Sequence, residues 1–230
     1  MTFKAAIILS HGSPSTPLPQ DRAMDDLAAA VMALLPGWVI RGGTLASPPS
    51  LARAFAGLES PLIYPFFMAD GHLTKTLLPK RVAPVATALR QMPAFGSDPA
   101  VQTLAAEATR EGARRAGLKP EETALLLAAH GSKIVAASRL ATLALAQNLS
   151  ATTSFRAITW GFIEEAPLLA DAARGLGQAI CLPLFTLRAG HVAHDLPTAL
   201  QEAGFEGVVL PHLGAHPEVP RIIAAALARA

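Results

Sequence analysis

The sequence predicts an α/β protein built as two similar domains, each a doubly wound parallel sheet. Three observations carry that prediction. Short apolar or β-rich runs alternate with helix-patterned runs from one end of the chain to the other. One strand-like run, 124–129, is apolar on both faces, as a parallel strand covered by helices on each side must be. The chain also repeats itself: Pro93, Gly96, Pro99 and Val101 recur as Pro211, Gly214, Pro217 and Val219, all at an offset of 118 residues. That register divides the 230 residues into 1–118 and 119–230, two units of ordinary domain size, joined near the polar stretch from Gly117 to Glu122.

Taken in order, strands are expected at 4–9, 38–45, 61–67, 123–129, 155–162, 178–185 and 207–210. Helical periodicity covers 20–35, 51–58, 75–91, 100–116, 135–148, 165–174, 195–203 and 218–229, and several of these runs open at Pro, Asp or Thr. Strand, helix and parallel strand in succession require right-handed crossovers. Trp38 and Trp160 fall on the second strand of each half and read as core, as does Cys181 in the apolar run 179–185.

Composition narrows the class. With 51% hydrophobic, 16% charged and 5% aromatic residues, the chain has ample core and is neither disordered nor fibrous. Its apolar runs are far shorter than a bilayer span, and its first residues lack the long apolar region and cleavage site of a signal peptide, so a cytoplasmic protein without membrane partners is expected. One cysteine forbids an internal disulfide, a thiolate zinc knot or a cysteine-held iron–sulfur cluster. A net charge of +2 with scattered basic residues gives no nucleic-acid face; a small acidic ligand fits at least as well.

The repeat carries chemistry with it. His11 and His72 stand 61 residues apart, and so do His130 and His191. His11 and His130 each open a His-Gly-Ser string directly after the first strand of a half, with Ser13 and Ser132 as the serines. His72 and His191 each follow a Gly after the third strand. Ligands of doubly wound sheets bind beyond the carboxyl ends of the strands, where all four histidines fall. A lone histidine after a strand is usually a hydrogen-bonded loop residue, but duplicated placement favours function. Paired imidazoles without thiolates suit iron, cobalt, nickel or zinc better than magnesium or calcium.

The residues around these histidines resemble a known family. The segment Cys181-Leu-Pro-Leu-Phe-Thr-Leu-Arg-Ala-Gly-His-Val-Ala-His-Asp-Leu-Pro197, preceded by Leu-Leu-Leu-Ala-Ala-His-Gly-Ser132 and Gly-Phe-Ile-Glu-Glu-Ala-Pro167, is similar to the sirohydrochlorin chelatases of the CbiX and SirB type. The likeness covers the chain as two tandem family units. It implies a class II chelatase fold with a cleft between two α/β halves, and ATP-independent insertion of cobalt or ferrous iron into a sirohydrochlorin-type tetrapyrrole in cobalamin or sirohaem biosynthesis. The divalent metal is then a substrate, the tetrapyrrole is the other, and no organic cofactor is implied. A chain with two units is expected to act as a monomer with an internal pseudo-dimer.

Carried over position by position, the resemblance makes His130, Glu164 and His191 the metal-serving set, with Glu165 an adjacent candidate because the spacing to Pro167 is one residue short of the family pattern. His11 and His72 keep their places in the first half, but Ala46 or Ser47 stands where the acid belongs, and Asp70 reads as a loop cap. Neutral imidazoles can bind the ion and accept the protons that two pyrrole nitrogens must release. Lys133, Arg188, Lys75 and Lys80 are placed to meet the ring's carboxylates, and Ser13 and Ser132 to hold carboxylates with helix N-termini. His194 reads as a residue opening a helix beside an Asp195 N-cap, and His212 and His216 as turn and cap residues. The rival readings are a non-catalytic tetrapyrrole or metal carrier descended from a chelatase, and a histidine-ligated extradiol-type dioxygenase suggested by Ser-His-Gly-Ser-Pro. Histidine phosphatases are excluded, because Ser10 and Ala129 stand where Arg-His-Gly needs its arginine.

Overall fold

The computed structural model describes residues 4–86, 89–188 and 190–230, with His191 described by its backbone alone. It contains two four-stranded, all-parallel sheets of the same design. Strand β1 (Lys4–Ser10) is flanked by β2 (Trp38–Thr44) and β3 (Leu62–Pro65), and β4 (Arg90–Gln91) adds to β3, giving the order β2-β1-β3-β4. The second sheet repeats it as β6 (Ala157–Phe162), β5 (Ala124–Ala129), β7 (Ala179–Pro183) and β8 (Val208–Val209). In each sheet the first strand in sequence lies between two neighbours and is apolar and buried over most of its length. All six side chains of β5 are buried, and Ala6, Ile7, Ile8 and Leu9 of β1 are inaccessible.

The helices follow from stripes and caps. Helix α1 (Pro17–Ala33) opens on two prolines and buries a stripe of Met24, Ala28 and Val31 at helical spacing. Helix α2 (Pro48–Phe55) is capped by Ser47, whose Oγ accepts from Ser50 N at 3.4 Å. The remaining helices are α3 (Leu78–Val82), α4 (Pro99–Arg115), α5 (Ala137–Thr152), α6 (Leu169–Ala173), α7 (Leu196–Glu202) and α8 (Val219–Arg229). No described helix is long and apolar enough to cross a membrane.

The two compact units are 1–98 with 217–230, and 99–216. The sequence repeat 1–118 and 119–230 is therefore not the unit of space: α4 packs on α5 and β7, and α8 packs on α1. In the first unit the apolar core joins Ile7, Leu9 and Ile63 to Leu51, Phe55, Leu78 and Val82. In the second it joins Leu126, Ala128 and Cys181 to Leu169, Leu196 and Leu200.

Four expectations change. The helix expected at 75–91 is a π-turn (Leu73–Leu77) running into α3, and Arg90 and Gln91 form β4, because Pro84 has no N–H to continue the helix and restricts the residue before it. The helix expected from Glu165 begins only at Leu169, beyond Pro167. The tryptophans are half-buried rather than core, because β2 and β6 are edge strands; the Trp38 ring carries Lys4 Nζ at 5.2 Å from its centroid. Asp195 makes no side-chain cap, since a second π-turn (His191–Asp195) feeds straight into α7.

Candidate metal centre

In the second unit β5 ends at Ala129, between β6 and β7, and His130 follows at the carboxyl edge of the sheet. The segment after β6 folds back to it: the N–H groups of Ile163 and Glu164 both reach His130 O, at 3.1 and 3.0 Å. Glu164 is thereby set beside the imidazole, with Oε1 3.8 Å from Nε2. At the other ring nitrogen, Nδ1 lies 2.7 Å from Gly131 O. A carbonyl only accepts, so the Nδ1 contact is made by an N–H, and Nε2 is the nitrogen that faces the carboxylate. An imidazole nitrogen and a carboxylate so placed can hold one cation between them. Metal–nitrogen and metal–oxygen bonds of about 2.0–2.2 Å span about 3.4 Å across a tetrahedral edge, so the pair need close by only a few tenths of an ångström on an ion.

Glu165 points elsewhere. Its Oε1 accepts from Ser132 N at 3.1 Å, its Oε2 lies 3.7 Å from Arg139 Nε, and its side chain is only 12% exposed, against 48% for Glu164. The His-Gly-Ser turn is pinned at further points: Gly131 N donates to Ser138 Oγ at 3.2 Å, and Ser132 Oγ accepts from Ile134 N and Val135 N. Gly131 is required there. Its φ is +74°, and a Cβ would lie 2.7 Å from Phe162 Cβ and 2.8 Å from Glu165 Cγ.

The first unit builds the same turn without the acid. His11 Nδ1 lies 3.0 Å from Gly12 O, and Ala46 N donates to His11 O at 2.9 Å, the bond that Glu164 N makes to His130 O. Ala46 is thus the counterpart of Glu164 and presents a methyl group, while Ser47, the counterpart of Glu165, caps α2. Beneath the turn, buried Thr44 donates its hydroxyl to buried Asp21 Oδ1 at 2.6 Å, where the second unit has Phe162. Asp70 is held in its loop, its carboxylate accepting from Ala94 N and Ser97 Oγ.

His72 is exposed just before the first π-turn, and His191 begins the second, so each lies beyond the strand beside the central one. The His191 side chain lies outside the described residues. Ser13 Oγ is engaged within its own loop by Ser15, Thr16 Oγ1 and Thr16 N. Helices α1 and α5 begin at Pro17 and Ala137, four and five residues beyond Ser13 and Ser132, so the serines sit in loops ahead of the helix starts. Lys133, Arg188, Lys75 and Lys80 are exposed. His194 is exposed within its π-turn, and its carbonyl accepts from Thr198 Oγ1 at 2.8 Å. His212 Nδ1 lies 3.1 Å from Phe185 O; burial, opposed by that carbonyl and assisted by Arg188, holds its pKa below the usual histidine value. Among the described residues no three His, Cys, Asp or Glu side chains converge on one point; His130 and Glu164 form a pair.

Ser138 and Arg139 are the supporting residues the sequence reading missed. Their links to Gly131 N and Glu165 span seven residues and a loop closure, for which no local sequence signature exists.

The sequence profile of the CbiX family matches residues 124–230. Among solved structures, the chain is similar to CbiX, described as the terminal enzyme for biosynthesis of sirohaem in denitrifying bacteria, with 45% identity over 99% of both chains and a TM-score of 0.91. It shares its fold with SirB from Bacillus subtilis solved with Fe3+, at 14% identity over 99% of this chain and 95% of that one (TM-score 0.75). The cobalt complex of the sirohydrochlorin chelatase SirB from Bacillus subtilis subspecies spizizenii matches at 13% identity with the same coverage (TM-score 0.72). Curated protein sequences gave no match.

Proposed function

Because the chain belongs to the CbiX family, we propose that it inserts a divalent metal, cobalt or ferrous iron, into a sirohydrochlorin-type tetrapyrrole without ATP, as a cytoplasmic monomer whose two halves form an internal pseudo-dimer. The observation that carries this reading is His130 Nε2 facing Glu164 Oε1 at the carboxyl edge of the second sheet, placed to hold one cation between them. His191 completes the metal-serving set by its position beyond the neighbouring strand β7. His11 and His72 form the corresponding pair of the first unit, where Ala46 stands in the place of the acid.

The chemistry follows from charge. A macrocycle that takes up M²⁺ releases two pyrrole protons, so the centre must hold a dication and then receive protons. A neutral imidazole with its lone pair outward does the first and, once the ion has moved to the ring, the second. The Glu164 carboxylate supplies a hard anionic ligand that lowers the charge the incoming ring meets. Lys133 and Arg188, exposed on the loops after β5 and β7, meet the peripheral carboxylates. Cobalt and iron use nearly the same donors, and SirB has been solved with each.

The test is a spectroscopic insertion assay. Purified protein is expected to accelerate Co²⁺ and Fe²⁺ entry into sirohydrochlorin above the uncatalysed rate. Binding of ring or metal without acceleration replaces the chelatase reading with the carrier.

A further inference from the structure

We propose that Glu165 is a positioning residue that acts on His130 through a single peptide group, fixing the imidazole's tautomer and raising its strength as a ligand. The inference rests on the metal-centre reading above and adds to it a carboxylate that does not touch the metal.

The path is a chain of three contacts. The Glu165 carboxylate accepts the N–H of Ser132 at 3.1 Å. That N–H belongs to the peptide unit whose carbonyl is Gly131 O, and Gly131 O receives His130 Nδ1–H at 2.7 Å. Negative charge at the amide end polarises the peptide, makes its carbonyl a stronger acceptor, and so secures the proton on Nδ1 and the lone pair on Nε2. The arrangement is the carboxylate–histidine–metal triad with an amide inserted between carboxylate and ring.

The carboxylate is well held for this task. Its stem lies against Gly131, its second oxygen is 3.7 Å from Arg139 Nε, and the side chain is 12% exposed, so water screens it little. Adjacent glutamates have thus divided the work: Glu164 faces Nε2, and Glu165 reaches Nδ1 from behind. The first unit is an internal control. Its counterpart of Glu165 is Ser47, committed to capping α2, and its ring-to-carbonyl contact is longer, 3.0 Å for His11 Nδ1 to Gly12 O. The first unit lacks both acids, with Ala46 and Ser47 in their places.

The test uses the full chain, ¹⁵N-labelled, with Co²⁺ alone as probe. Imidazole long-range ¹⁵N correlation reads the His130 tautomer, assigned by its disappearance in His130→Ala, and calorimetry reads the Co²⁺ dissociation constant. Glu165→Gln keeps the side chain's volume and an acceptor but removes the charge. It is expected to weaken Co²⁺ roughly 10-fold or more and to shift His130 away from the pure Nδ1–H form, with His11 unchanged. Glu164→Gln should weaken Co²⁺ and leave the tautomer alone. Arg139→Gln, which removes the ion pair and keeps the carboxylate, should also leave the tautomer alone, and it serves if Glu165→Gln does not fold. An unchanged tautomer and Co²⁺ affinity in Glu165→Gln, or a tautomer shift in Arg139→Gln, overturns the relay. If instead His130→Ala keeps full insertion activity, the metal-centre reading itself has failed.

Discussion

Replacing Gly131 with alanine tests the geometry on which the centre rests. At φ +74° an L-residue is in the left-handed region, a penalty of about 1–2 kcal/mol. The new methyl carbon would also stand 2.7 Å from Phe162 Cβ, on a fully buried ring, and 2.8 Å from Glu165 Cγ, where carbon contacts normally lie at about 3.5–4.0 Å. Neither neighbour is the loose end of a side chain, so the overlap adds about 1–3 kcal/mol, as overpacking does. The loss should be about 2–5 kcal/mol in all. Gly175→Ala in the same unit is the control. Its φ is +70° with nothing within 4 Å of a built Cβ, so only the conformational penalty of about 1–2 kcal/mol applies. Urea unfolding followed by circular dichroism measures both. Equal losses would refute the packing of Phe162 and Glu165 against the turn, and with it the placement of both glutamates.

Three further outcomes follow from other parts of the molecule. Thr44→Val keeps shape but leaves the buried Asp21 carboxylate without its donor, and should destabilise the first unit by about 2–3 kcal/mol in urea titration. Burial pushes the Cys181 thiol up to about 12, so the native protein should resist a thiol reagent at pH 8 and react at one thiol per chain in denaturant; fast native labelling would contradict the core assignment. Hydrogen bonds from Arg114 and Arg115 hold the Glu111 carboxyl down at about 2, against an ordinary 4.5. A depressed carboxylate contributes fully above 4.5, and its contribution fades as pH falls to about 2. The melting temperature of Glu111→Gln should therefore lie below the parent's at pH 6 and match it at pH 2.

The central strands and the paired histidines were legible because each has a strong one-dimensional signal: a continuous apolar run such as 124–129, or a motif repeated at a fixed interval. What escaped has its cause in three dimensions. Strand β4 is two polar residues recruited by pairing with β3, and Pro84 ends a periodicity that otherwise reads as one long helix. The repeat shows where sequence recurs and not which helix packs where, so α4 and α8 join the units opposite to those their numbers suggest. Choosing between Glu164 and Glu165 lay beyond spacing, because consecutive residues on a turn face different ways. The N–H groups of Ile163 and Glu164 reach His130 O and set Glu164 beside the imidazole, as the Ala46-to-His11 bond sets Ala46 there in the first unit.

The most direct measurement is the rate of Co²⁺ insertion into sirohydrochlorin by His130→Ala beside His11→Ala, each at parental stability. A single working centre in the second unit predicts that His130→Ala falls to the uncatalysed rate while His11→Ala keeps most of its activity. Equal loss from the two substitutions, or loss from His11→Ala alone, would contradict it.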